Sequence, residues 1–282
     1  MSAQPMFSAQ TMKHFIITPF YVKRHFTAAT GKIDERLASL EWLDDRLRLF
    51  ETYCLPSVAA QSDQNFSWFL YFDDSTPRNH LDRVAAAAAR SKNIFIKRCA
   101  FWDGATLTKD VVAALDPGTR WVMTTRLDND DGLQRDFVSL LHAAAEERTE
   151  FLNFPQGIIW YSGKCYLYKH ASNAFMSMIE TADNPRTVWH VPHEKASRIA
   201  PVRQLSAEPA FLQVVHGNNV SNKPRGTRID ARRALIGFEA IEALHGSGER
   251  ETSAGILLEN STSVLLWKMR DLLISMAKAL RR

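Results

Sequence analysis

Apolar positions in the first 150 residues switch repeatedly between two periods. Short β-rich runs at His14–Ile17, Phe66–Phe72, Ile94–Cys99 and Trp121–Leu127 read as strands. Helical spacing separates them. Ile33, Leu37, Leu40, Leu47 and Phe50 share one helix face, with Asp34 and Glu35 in its first turn, and Pro56 breaks or restarts that helix. Leu81–Arg90 is Ala-rich, Val111–Leu115 is closed by Asp116-Pro117-Gly118, and Phe137–Glu147 again has helical spacing. Such alternation predicts the α/β class, with a mostly parallel sheet flanked by helices. Ligands of these sheets bind at the carboxyl ends of strands, and Asp73-Asp74 and the Asp128 cluster both follow predicted strands.

The pattern changes after residue 150. Phe151–Phe154, Ile158–Tyr161 and Lys164–Tyr168 read as short strands, the last two forming a hairpin around Ser162-Gly163. Asn173–Glu180 reads as a short helix, Val188–Pro192 and Phe211–Val215 as strands, and Asn218–Arg228 as a loop. Gly246–Gly255 is polar and reads as a mobile loop. The segment Ser263–Arg282 is a basic amphipathic helix, in which Val264, Leu265, Leu272, Ile274, Met276 and Leu280 mix with Lys268, Arg270, Lys278, Arg281 and Arg282. It either docks on its own domain or lies on an anionic membrane surface. No linker divides the chain.

Composition narrows the class. Hydrophobic residues at 45% and charged residues at 23% are those of a globular protein. A net charge of +4 suits an anionic ligand. The dense Lys/Arg stripe with interleaved aromatics that a nucleic-acid binder needs is missing before the last twenty residues. Cys54, Cys99 and Cys165 lie far apart without metal-ligand spacing, which points to a reducing, cytoplasmic setting. No signal core and no run of about 18 apolar residues is present, so no transmembrane helix is expected.

The chemistry concentrates in Thr125-Arg126-Leu127-Asp128-Asn129-Asp130-Asp131-Gly132. Residues two apart in extended backbone point to one side, so Asp128 and Asp130 can converge on a hard cation such as Mn²⁺ or Mg²⁺. An EF-hand loop is excluded: with Gly132 at its sixth position, Leu127 would be the first ligand. A helix cap at Asp131 or a solvated acidic turn stays open. Asp73 and Asp74 can accept hydrogen bonds from a nucleobase or ribose, or serve only as turn formers.

These residues resemble a known family. The acidic segment is similar to the DxD region of GT-A glycosyltransferases. More narrowly, the chain resembles the bacterial rhamnosyltransferase family through Trp42–Phe50, Leu55-Pro56-Ser57 and Gln61, Phe66-Ser67-Trp68, the acidic segment, Phe154-Pro155-Gln156-Gly157 and Leu212–Asn222, in that order. The resemblance implies one GT-A-like, Rossmann-type domain over 1–282. Within it, 12–150 would bind the nucleotide-sugar, 151–245 would bind the acceptor, and 246–282 would be the basic helical region. It implies a nucleotide-sugar donor, a glycan or lipid-linked acceptor, and Mn²⁺ or Mg²⁺ on Asp128 and Asp130. Asp73, with Asp74 beside it, would contact the nucleoside, and His216 would be a late metal or diphosphate ligand. Arg126 could contact the donor phosphate or sugar, or instead form a salt bridge to Asp128 or Asp130; Lys223 and Arg225 could clamp the diphosphate, or form a solvated basic loop. The expected location is the cytoplasm, or the inner face of the membrane through the basic C-terminal helix.

An inverting transfer needs a base. Glu194 is the first candidate and His193 the second, because the pair follows Pro192 and precedes a basic stretch; Asp183 and Glu208 rank lower. A retaining enzyme would need none, so stereochemistry stays open. Two other functions compete on these residues: a metal-dependent phosphohydrolase, and a non-catalytic nucleotide- or carbohydrate-binding protein.

Overall fold

The computed structural model describes residues 11–22, 39–89, 91–216, 225–244 and 253–261. The chain enters through β1 (Met12–Tyr21), then α1 (Leu40–Leu49), α2 (Leu55–Ala59), β2 (Ser67–Asp73), α3 (Arg78–Ala88), β3 (Ile94–Cys99), α4 (Gly104–Ala113) and β4 (Trp121–Arg126). Next come β5 (Gly132–Leu133), α5 (Phe137–Ala144), β6 (Glu150–Asn153), β7 (Gln156–Tyr161), β8 (Lys164–Lys169), β9 (Ser177–Thr181), β10 (Val202–Gln204), β11 (Phe211–Val215), β12 (Thr227–Ile229) and α6 (Ala231–Ala234). Among the described residues no helix is long and apolar enough to cross a membrane.

Seven strands form the main sheet in the order β10-β6-β9-β4-β1-β2-β3. The pairs β1–β2, β2–β3, β1–β4 and β10–β6 are parallel, and only β9 runs against its neighbours. This is the α/β, mostly parallel and helix-covered sheet that the alternating pattern predicts. Both faces are buried, and the pleat divides the residues cleanly. Ile16, Trp68, Leu70 and Phe72 face Leu43, Leu47 and Phe50 on one side, whereas Phe15, Ile17, Phe69 and Tyr71 face Leu107 and Val111 on the other. Each such side chain removed from water contributes roughly 1.5–3 kcal/mol.

The second sheet has the order β12-β8-β7-β11-β5. Its hairpin turns at Ser162-Gly163, both with positive φ (47° and 79°), as expected for a two-residue connection. The two sheets interleave in sequence. β6, β9 and β10 complete the first sheet from beyond residue 150, while β5 joins the second from before it. A boundary at residue 150 therefore separates neither sheet.

Four local expectations are corrected. Of the helix expected over Asn173–Glu180, the part from Ser177 on is strand β9, paired with β4 and β6; Met178 and Ile179 point to opposite faces and are buried in separate clusters, and a run apolar on both faces mimics a buried helix. Val188–Pro192 is no strand: Val188–His190 is a single 3₁₀ turn. The expected Val111–Leu115 helix starts earlier, at Gly104, because the Asp103 carboxylate accepts the Thr106 N–H at 2.8 Å. Within the expected loops, Thr227–Ile229 pairs with β8 as β12, and 253–255 open a helix over 253–261. Lys223, the 246–252 stretch and the basic 263–282 helix lie outside the described residues. Pro56 does restart the first helix. A π turn, Phe50–Cys54, joins α1 to α2, and Pro56 sits in the first turn of α2, where its missing N–H is not needed.

Candidate functional site

The chain runs β1, β2, β3 to one side and then returns to place β4 on the other side of β1. The carboxyl ends of β1 and β4 therefore flank the reversal in strand order, where open α/β sheets leave a crevice. Arg126 ends β4 opposite Ile17 of β1, and the acidic turn follows at once.

That turn is not extended. The Asp131 N–H reaches the Asp128 carbonyl at 3.4 Å, so the carboxylates at 128 and 130 have different surroundings. Asp128 is half-buried and forms no ion pair among the described residues. Asp130 is buried and held between two groups, the Arg46 guanidinium and His216 Nε2, the latter at 3.0 Å. Burial alone would raise the Asp130 pKa; the His216 hydrogen bond and the Arg46 charge outweigh it and hold the carboxyl below its usual range. Asp131 goes the other way: burial and the charges of Asp130 and Asp128 push it well up, while its carboxyl oxygen accepts the Val214 N–H at 2.9 Å. Asn129 is buried too, donating to the Phe20 carbonyl at 3.1 Å. Cys54 offers its thiol to the Asp128 carbonyl at 3.6 Å, and burial followed by the three aspartates raises its pKa strongly.

Strand register explains the meeting with His216. β11 runs antiparallel to β5, with Leu212 opposite Gly132. Continuing that register carries the end of β11 back along the acidic turn, where the side chain of His216, the residue after Val215, reaches Asp130. Arg46 arrives from α1, where it shares the buried face with Leu43 and Leu47 and lies 4.8 Å from the Trp42 ring centroid. A charge at that spacing on an apolar face marks Arg46 as unusual, but no local signal ties it to the acidic turn.

Arg126 has no carboxylate partner among the described residues, so a salt bridge to its own aspartates is not what holds it. Its guanidinium carbon lies 3.9 Å from the Trp189 ring centroid. His193 is near enough that, after burial, the Arg126 charge is the next cause lowering its pKa. His193 Nδ1 lies 2.6 Å from the Ser172 carbonyl, an acceptor, so the proton of the neutral ring sits on Nδ1 and Nε2 carries the lone pair. Glu194 stands 3.2 Å from that Nε2 and is mostly exposed. The donor-side residues divide. Asp73 is buried and its carboxylate closes a turn by accepting the Ser75 N–H at 2.9 Å, whereas Asp74 is exposed with Arg98 at 3.9 Å. Arg225 is exposed just ahead of β12.

Do these residues suit a divalent metal? Among the described residues no group of three or more His, Cys, Asp and Glu side chains is arranged to hold one. His216 Nε2 is engaged by Asp130, and Asp130 is neutralised by Arg46. Mg²⁺ commonly takes one or two protein carboxylates and fills its remaining positions with water and phosphate. The described residues form no cage of protein ligands alone; Asp128 is a carboxylate of the turn without an ion-pair partner among them, and an ion there would need a bound diphosphate to complete its shell.

Comparison with known proteins gives a family model described as "Putative rhamnosyl transferase", which matches residues 22–228. No curated protein matches the sequence. Among solved structures, S. aureus TarS 1–349 in complex with UDP is similar at 13% identity over 72% of this chain and 60% of that one, with a TM-score of 0.44. The same protein in complex with UDP-GlcNAc is similar at 12% identity over 88% and 71%, with a TM-score of 0.43. A 4-diphosphocytidyl-2C-methyl-D-erythritol synthase from Anaerococcus prevotii DSM 20548 aligns at 13% identity over 86% and 99%, with a TM-score of 0.34. This chain thus spans about 60% of the length of the TarS structure with UDP.

Proposed function

The chain belongs to the family described as "Putative rhamnosyl transferase", and from that premise we propose that it moves a hexose, with rhamnose the first candidate, from a nucleoside diphosphate to a hydroxyl of a glycan or lipid-linked acceptor. The observation that carries this reading is the position of Arg126 and the acidic turn at the reversal in strand order between β1 and β4.

Each group then has a task. Asp73 and Asp74 border the nucleoside at the end of β2. Arg126 faces the diphosphate, joined by Arg225 and by Lys223 from outside the described residues. Asp128 would hold a divalent ion, with Asp130 behind it kept ionised by Arg46 and His216; bound there, Mn²⁺ or Mg²⁺ would offset charge growing on the leaving diphosphate. The acceptor oxygen forms a bond to the anomeric carbon as the bond from that carbon to the diphosphate oxygen breaks. His193 Nε2 takes the hydroxyl proton, and Glu194, 3.2 Å away, stabilises the imidazolium. The base role thus moves from Glu194 to its neighbour, whose tautomer the Ser172 carbonyl sets.

Thermal melts with UDP, GDP and dTDP, each with and without Mn²⁺, test the donor site. Asp128→Asn is the informative variant, because Asp128 is half-buried and carries no buried ion pair. Ligand at 100 times its dissociation constant stabilises by about 2.7 kcal/mol, a shift of several degrees for a chain of this size. One nucleotide should give a Mn²⁺-dependent shift that Asp128→Asn loses, and the matching sugar nucleotide should release that nucleoside diphosphate when acceptor is added. No shift with any of the three would sink the donor assignment; binding without release would leave a binding protein.

A further inference from the structure

We infer that Trp189 is a positioning residue, whose ring holds the Arg126 guanidinium ready for an anionic diphosphate at the reversal in strand order. The inference rests on the donor reading above and concerns a residue that reading does not use.

A guanidinium has five N–H donors and a fixed charge, and a poorly solvated one normally pairs with a carboxylate. No carboxylate of the described residues pairs with Arg126, and its Nε is buried without a hydrogen-bond partner. The aromatic face 3.9 Å away is what it rests on. Stacking fixes the plane of the guanidinium and leaves its in-plane donors unspent.

The ring itself is held from several directions. Its Nε1–H donates to the Ile17 carbonyl at 3.1 Å, and Trp102 meets it edge-on with centroids 5.2 Å apart. The turn that carries it is strained and over-determined. Thr187 is fully buried at φ 68°, an uncommon conformation for a β-branched residue. Buried Glu180 compensates by accepting the N–H groups of Thr187 at 2.7 Å and Arg186 at 2.9 Å, while the Val188 N–H reaches Thr124 Oγ1 at 2.8 Å. Such strain persists only where the surroundings enforce it, and it accompanies functional geometry. Here it presents one indole face to one arginine at the end of β4.

Calorimetric titration of wild type, Trp189→Phe, Trp189→Leu and Arg126→Gln with inorganic pyrophosphate and with UDP, GDP and dTDP tests the inference. Trp189→Leu should weaken pyrophosphate binding about tenfold, as Arg126→Gln does, and the double variant should lose no more than either; Trp189→Phe, which keeps a ring face, should stay within about threefold of wild type. If Trp189→Leu fails to fold, Trp189→Met is read in its place, since it keeps bulk without a ring. Wild-type affinity in the ringless variant overturns the role of Trp189 and leaves the donor reading standing. Arg126-dependent binding of pyrophosphate with no binding of any nucleotide does the reverse. Binding of neither overturns both.

Discussion

Arg46 decides what the acidic turn can be. A buried carboxylate without a partner is costly, and the His216 hydrogen bond together with the Arg46 charge lets Asp130 stay ionised while buried. Arg46→Met should therefore destabilise the protein by about 3–5 kcal/mol in urea unfolding, because it strands a buried charge. Adding Asp130→Leu should recover part of that loss; a double variant no more stable than the single would contradict the pairing. The sequence reading found the aspartates from their position after a strand. It could not find Arg46, because the contact joins α1 to a turn more than eighty residues later. Trp189 was hidden for a related reason: its segment looked like a strand, and only the conformation of Thr187 shows otherwise.

A second buried polar chain sets a pH dependence at the same scale. Asp63 Oδ2 binds His142 Nδ1 at 2.7 Å, His142 Nε2 meets His14 Nδ1 at 2.9 Å, and His14 Nε2 meets Thr125 Oγ1 at 2.8 Å. Burial, then the charge of His142, depresses the His14 pKa well below its usual value. The unfolded chain takes up a proton near pH 6.5 and the folded chain does not. Stability is therefore present above that pH and should decline as pH falls through about 6.5. Urea midpoints at pH 8, 6.5 and 5 check this. His14→Gln, which cannot titrate, should give a flatter profile over the same range, and an equally steep one would place the proton uptake elsewhere.

Among the elements, β7 shows how a missing side chain positions a sheet. A Cβ on Gly157 would lie 2.2 Å from the Phe211 ring, which is fully buried and stacked on Phe175 at 4.2 Å. Phe211 cannot retreat, so Gly157→Ala should cost about 1–3 kcal/mol of unfolding free energy, and Phe211→Leu should partly rescue it. Because β11 carries His216 to the acidic turn, the same variant should also weaken nucleotide-dependent stabilisation. A glycine inside a strand pattern is a readable sign of close approach, although the ring it receives is not. β1 and β2, buried on both faces, were legible as β-rich apolar runs that end at turn residues. β9, also buried on both faces, was not, since its run lacks such punctuation and a doubly buried strand has no period to separate it from a buried helix.

For the whole molecule, a boundary at residue 150 does not follow the chain path. β9, from the later part, pairs with β4 itself, and β5, from the earlier part, pairs with β11. Far-ultraviolet dichroism and tryptophan fluorescence should accordingly report one coincident melting transition. A fragment of residues 12–150 should show no cooperative transition, lacking the strands that cover β4; a cooperative melt of that fragment would refute the interdependence of the sheets. The parallel sheet was legible from alternation alone. Of the second sheet, the β7–β8 hairpin was legible from its turn, whereas the pairings of β11 with β5 and β7 were not, because segments so far apart in sequence leave no local trace.

The interleaving of the two sheets also constrains how such a protein can change hands among relatives. A single recombination breakpoint after β4 would splice one parent's β6, β9 and β10 into the other parent's parallel sheet. Block exchange at that point should therefore disturb the scaffold itself, whereas single substitutions leave the shared frame in place.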